Sequence, residues 1–225
     1  MMAVCVQSQT VTQILTPDEL LTTTRAIRHK LDLNRSVDMA IIRECIEIAL
    51  HAPSGSNVQD WHWVVITHPD TRAAIADLYR DAFEQYRQWP SAAGNIVTGE
   101  PGRDATQERV MRSAEYLAAN LHRVPVLVIP CIEANLDRQP AFTAASKMGS
   151  IAPAAWSFCL AARARQLGTS WTTLHLLHAQ AVAELIGIPK EVSQAALIPV
   201  AHVQGDPFRR ASREPVDAIL HVDCW

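Results

Sequence analysis

The chain has 225 residues, of which 48% are hydrophobic and 19% charged; it can build one sizeable core, and disorder is excluded as its main state. Its net charge of −3 provides no general basic field, so nucleic-acid binding has no electrostatic support. The longest uncharged apolar run, Met148 to Ala162, holds Pro153 and falls short of the ~20 residues that span a bilayer, and the first basic residue is Arg25, which leaves no signal-peptide start; a cytoplasmic protein with no membrane partner is expected.

Residues 1–16 show no period and read as an amino-terminal arm. Pro17 and Asp18 suit a first helical turn, and Leu20, Leu21, Ile27 and Leu31 carry that helix onward. Ser36 caps a second helix that runs through Ile41, Ile42, Cys45 and Ala49 until Pro53 stops it. Trp61 to Ile66 is aromatic and β-branched, hence a strand. Pro69 and Asp70 open a helix to about Tyr86. From Trp89 to Gly102 the composition is that of a long loop or lid. Helical spacing returns over 105–122, and Val124 to Ile132 reads as a buried strand.

Met148 to Leu167 is an apolar helix for which Gly168 supplies a carboxy-terminal cap. Thr169 to Thr173 is a short strand, Ala179 to Ile186 a helix closed by Gly187 and Pro189, and Ala195 to Val203 a strand. Residues 206–225 have no evident partner of their own. Strands and helices do not alternate one for one, so the class is α+β rather than a doubly wound sheet. No internal repeat or composition shift divides the chain.

Five scattered cysteines with no C-x-x-C pair fit neither a disulfide framework nor a zinc site, and are expected as reduced, mostly buried thiols. No metal set is expected. G-x-G-x-x-G, G-x-x-x-x-G-K-[ST] and G-x-S-x-G are all absent. His62, His122, His175, His178 and His202 have no identifiable partners and read as structural.

Two segments carry more information. Arg25 and Arg28 are three apart, so on a helix they would project together and grip a phosphate; a solvated basic face has the same pattern. Ala52-Pro53-Ser54-Gly55-Ser56-Asn57-Val58-Gln59-Asp60-Trp61 offers donors and acceptors at fixed spacing, as a planar heteroaromatic ligand needs; a polar helix-to-strand turn would look alike.

Together these segments resemble the nitroreductase family of FMN-dependent NAD(P)H oxidoreductases. The resemblance rests on the R-x-x-R segment at Arg25 to Arg28, the A-P-S-x-x-N-x-Q-x-W loop from Ala52 to Trp61, the apolar helix ending at Leu167-Gly168-Thr169, and the closing Gly205-Asp206-Pro207 and Arg213-Glu214-Pro215. It covers roughly residues 17–225. It implies a three-layer sandwich with a mostly antiparallel central sheet flanked by helices, in an intertwined homodimer. Residues 17–205 would form the FMN-binding domain, and 206–225 would pack on the partner subunit.

Carried over residue by residue, Arg25 and Arg28 resemble phosphate ligands, completed by Arg213 and more weakly by Arg210. Pro53, Ser54, Gly55 and Asn57 would line the ribityl chain and ring edge, with Gln59 supporting the loop. Main-chain groups near Thr172, Thr173 and Leu174 would face the hydride-accepting nitrogen. The implied activity takes hydride from NAD(P)H and reduces a nitroaromatic, quinone or activated enone by a ping-pong mechanism, with no protein side chain acting as catalyst; a flavin-sequestering protein on the same fold is the alternative. Two departures stand out: Ala26 where relatives carry Ser, and Asp60 where Pro is usual.

Overall fold

Seven consecutive residues, Val126–Ile132, are all buried, and a strand of that kind needs cover on both faces. The computed structural model describes residues 15–225 and provides that cover. The arm expected at 1–16 lies almost wholly outside the described residues, as does Cys5. The chain runs α1 (Pro17–Thr23), α2 (Met39–Ala49), β1 (Trp61–Ile66), α3 (Pro69–Tyr86), α4 (Pro101–Asn120), β2 (Val126–Ile132), α5 (Ala141–Ala164), β3 (Leu167–Thr169), α6 (Ala179–Ile186), β4 (Ser193–Gln194) and β5 (Ile198–His202).

The sheet order is β1-β2-β5-β3, with β4 against β2, and every strand pair is antiparallel. Because side chains alternate along a strand, Leu127, Ile129 and Cys131 pack with Ile75, Tyr79 and Phe83 of α3 and Leu117 of α4. Val126 and Val128 instead meet Ile42 and Cys45 of α2 and Phe158 and Cys159 of α5. The result is an α+β sandwich of three layers, as expected. Of the four described cysteines, Cys45, Cys131 and Cys159 are buried and Cys224 is exposed; burial pushes the first three thiols up to about 12, 12 and 11.

Four local expectations are corrected. The first helix ends at Thr23, not near Leu31. The hydroxyls of Thr22, Thr23 and Thr24 donate back to the carbonyls of Asp18, Glu19 and Leu20, and beyond them Ile27 N–H donates to Thr169 O at 2.8 Å. A parallel bridge joins Ala26 to Thr169, so Arg25 and Arg28 sit on a non-helical segment beside β3. The second helix is capped by Asp38, whose side chain accepts Ala40 N–H, rather than by Ser36.

The apolar helix starts at Ala141 and ends at Ala164, and Gly168 is a strand residue. Its lack of a side chain serves packing, since a Cβ there would lie 2.7 Å from Val203 Cγ1 and 2.9 Å from Leu31 Cδ2; Gln166 adopts the positive φ (60°) after the helix. Finally, the segment after Trp89 folds back on α3. Tyr86 Oη accepts Ala93 N–H, and Asn95 Nδ2 donates to the carbonyls of Arg87 and Trp89. Helix α4 already begins at Pro101.

Candidate functional site

The segment that leaves α1 places Arg25 exposed and Arg28 half-buried. Burial holds the Arg28 guanidinium below its ordinary pKa and neighbouring Arg25 adds to that, while the nearby phenols of Tyr79 and Tyr86 oppose it. Among the described residues neither arginine forms an ion pair with a carboxylate. A partly desolvated cation beside a second cation lacks only an anion, and paired guanidiniums match phosphate geometry.

The Ala52–Trp61 loop is built differently. Ser56, Asn57 and Gln59 hold φ values of 52°, 54° and 56°, a left-handed region that non-glycine residues seldom enter and that is stored mainly at functional sites. Ser54 Oγ accepts Gln59 N–H at 3.2 Å, and Gln59 Nε2 donates to Asn57 Oδ1 at 2.9 Å. Gly55 N–H donates to Ser150 Oγ on α5 (2.9 Å), and Ser150 in turn donates to Ser146 O. A Cβ at residue 55 would lie 3.2 Å from Ser146 Oγ, so α5 closes one side of the loop. Asp60 pairs with Lys147 of α5. Pro53, Gly55 and Asn57 stay exposed, and among the described residues the Asn57 amide nitrogen is free to donate.

At the third position expected in the site, Thr172 N–H donates to Leu197 O (3.1 Å) and Thr172 O accepts Leu197 N–H (2.8 Å). Its main-chain N–H and C=O are therefore both engaged in this pairing, which fixes the segment against the Leu197 strand end. Its hydroxyl meets Tyr79 Oη at 2.9 Å. Thr173 is exposed, its carbonyl accepts Leu176 N–H, and Leu174 opens the short 3-10 turn that follows.

Within one protomer no hydrogen bond or ion pair joins Arg210 or Arg213 to Arg25 or Arg28 among the described residues. Arg213 donates to the Ser212 carbonyl, Arg210 lies near Glu19, and the adjoining Glu214 pairs with Arg103 at 3.1 Å. Nor does any such contact join the arginine pair to the Ser54–Gln59 loop. Sequence reasoning missed Tyr79, Tyr86, Ser146, Lys147 and Ser150. The available signal was the spacing of Ser146, Lys147 and Ser150 on one helical face. Among the described residues no group of histidines, cysteines and carboxylates gathers to hold a metal, and no helix is long and apolar enough to cross a membrane.

The donor set fits a flavin mononucleotide: guanidiniums for its phosphate and a strained amide-bearing loop for its polar edges. The model of the Nitroreductase family matches residues 21–202. A protein of Methanothermobacter thermautotrophicus, provisionally named NADH dehydrogenase/NAD(P)H nitroreductase, is 23% identical over 209 residues, covering 92% of this chain and 86% of its own length. The fold is shared with a BluB-like flavoprotein from Clostridium difficile 630 (22% identity, TM-score 0.65, 91% of this chain and 97% of that one). It is shared also with the FMN-dependent nitroreductase NfnB from Mycobacterium smegmatis in complex with NADPH (18% identity, TM-score 0.66, 92% and 97%).

Proposed function

This chain belongs to the nitroreductase family, and on that premise we propose that it is an FMN-dependent oxidoreductase that oxidises NAD(P)H and reduces an electron-poor acceptor in alternating half-reactions. Bound FMN supplies the redox chemistry. The protein supplies binding and orientation: Arg25 and Arg28 hold the phosphate, the Ser54–Gln59 loop presents its polar atoms to ribityl and ring, and the 172–174 segment borders the reactive edge. The acceptor is a nitroaromatic, quinone or activated enone.

The observation that carries this reading is the arginine pair, one member half-buried and neither matched by a carboxylate among the described residues. In the assembly we propose, two copies share the site. The 206–225 extension, with Val216, Ile219, Leu220 and Trp225 exposed on the protomer, packs on the partner and brings Arg213 toward the phosphate.

The test is a visible spectrum before and after anaerobic addition of NADH or NADPH. The expected result is a flavin band near ~450 nm that bleaches, and its loss on purification of the Arg25→Ala/Arg28→Ala variant. A double variant that stays fully yellow would overturn the phosphate assignment. A second reading, flavin sequestration without turnover, is favoured by the way the segment after Trp89 is fastened to Tyr86 beside Arg28; a band that persists with both nucleotides would select it.

A further inference from the structure

Tyr79 links two parts of the site that lie far apart in sequence. Its ring comes from α3 and is 2% exposed; its phenol lies near Arg28 and its hydroxyl is 2.9 Å from Thr172 Oγ1. Thr172 can hardly shift in response to a ligand, because both of its main-chain groups are tied to Leu197 and a β-branched side chain is stiff at χ1. What remains free is the position of the hydroxyl proton.

Two hydroxyls in contact can bond in either direction, since each is donor and acceptor. When Tyr79 donates, the Thr172 proton is free to point outward. When Thr172 donates to Tyr79, its outward side offers only lone pairs. No heavy atom moves between the two arrangements. Burial raises the Tyr79 phenol above its ordinary pKa, against the opposing effects of the Thr172 hydrogen bond and Arg28, so the proton needed for both arrangements stays in place at neutral pH.

A flavin edge makes opposite demands in its two redox states: a ring nitrogen that accepts a hydrogen bond when oxidised carries an N–H and donates one when reduced. We propose that Tyr79 is a positioning residue of this site, reversing the Thr172 hydroxyl so that one side chain serves both oxidised and reduced cofactor. This inference rests on the function proposed above and adds to it a residue that does not touch the cofactor.

The experiment compares wild-type protein, Tyr79→Phe, Thr172→Val and the double variant, each loaded with FMN. Thermal melts and FMN dissociation constants monitor structural damage, and Tyr79→Phe is expected to keep its melt and to bind FMN within about threefold of wild type. Its reduced cofactor is expected to be held up to about tenfold less tightly relative to the oxidised form, the loss of one neutral hydrogen bond. For a two-electron couple that lowers the midpoint potential by about 30 mV. The kcat with the preferred nucleotide falls by a similar factor at unchanged KM.

The double variant should match Thr172→Val alone, because Tyr79 acts through Thr172. A Tyr79→Phe protein with wild-type potential and kcat would overturn the inference and leave the oxidoreductase reading intact. So would additive losses in the double variant. Wild-type protein that takes up no FMN would overturn both.

Discussion

His175 is fully buried in the 3-10 turn after Thr173, and neither ring nitrogen has a hydrogen-bond partner among the described residues. Burial pulls its pKa down to about 3, so it is neutral in the folded protein and no proton donor at neutral pH. The unfolded chain takes up that proton near pH ~6.5. Between these two values the unfolded state binds more protons, so stability is lost as pH falls, by about 1.4 kcal/mol per unit. His175→Leu keeps the volume and removes the two orphaned nitrogens. In urea unfolding it should be at least as stable as wild type at pH 7.5, and wild type should lose about 1.4 kcal/mol more than the variant on going to pH 5.5. Equal losses would show that another group sets the acid sensitivity. Gly168 tests packing at the same scale. Gly168→Ala forces a methyl against Val203 Cγ1 and Leu31 Cδ2 and should cost roughly 1–3 kcal/mol, with Val203→Ala recovering part of it.

The elements show where local signals end. Strand β1 and helices α3 and α6 follow from their own residues: a β-branched and aromatic run, a Pro at the first helical position, and Gly187 at φ 73° closing α6. Helix α1 does not, because what stops it is the Thr169 carbonyl waiting for Ile27 N–H, and nothing near Ile27 announces a strand so distant in the chain. Lys147 is likewise missing from any local reading of the loop. Asp60 looks like a loss when only its neighbours are read, yet with its side chain 10% exposed and that of Lys147 27% exposed the pair forms a largely sheltered ion pair. Together with the Gly55–Ser150 hydrogen bond, formed between residues 95 apart, it pins both ends of the strained loop to α5. Asp60→Ala and Lys147→Ala should each weaken FMN binding, by up to about tenfold, and the double variant should be no weaker than the worse single one. Independent, multiplying losses in a fluorescence titration would mean that the pair does not act as one clamp.

For the molecule as a whole, the question is why a chain with so well covered a sheet leaves its last twenty residues uncovered. Val216, Ile219, Leu220, Val222 and Trp225 are all more than half exposed, an apolar set of the kind that marks an interaction surface. On the protomer the extension is held near its root, where the Phe208 ring lies 3.7 Å from the Arg163 guanidinium, and by the Arg103–Glu214 pair. An unclosed apolar groove lies between α2 and the outer strand β1, lined by Met39, Ile46, Leu50, Trp63 and Val65. Trp63 Nε1 is buried there without an acceptor among the described residues. Surface and groove match in chemistry, and in the dimer proposed above a second copy would satisfy both at once with closed two-fold symmetry. Ile219→Asp/Leu220→Asp leaves the protomer's core untouched, since both side chains are exposed. It should convert a dimer to a monomer in sedimentation at micromolar concentration, and flavin should be lost with it because Arg213 is then no longer delivered to the phosphate. A variant that stays dimeric and yellow would mean that the extension neither joins the subunits nor completes the site, and the cofactor's anion would then depend on Arg25 and Arg28 alone.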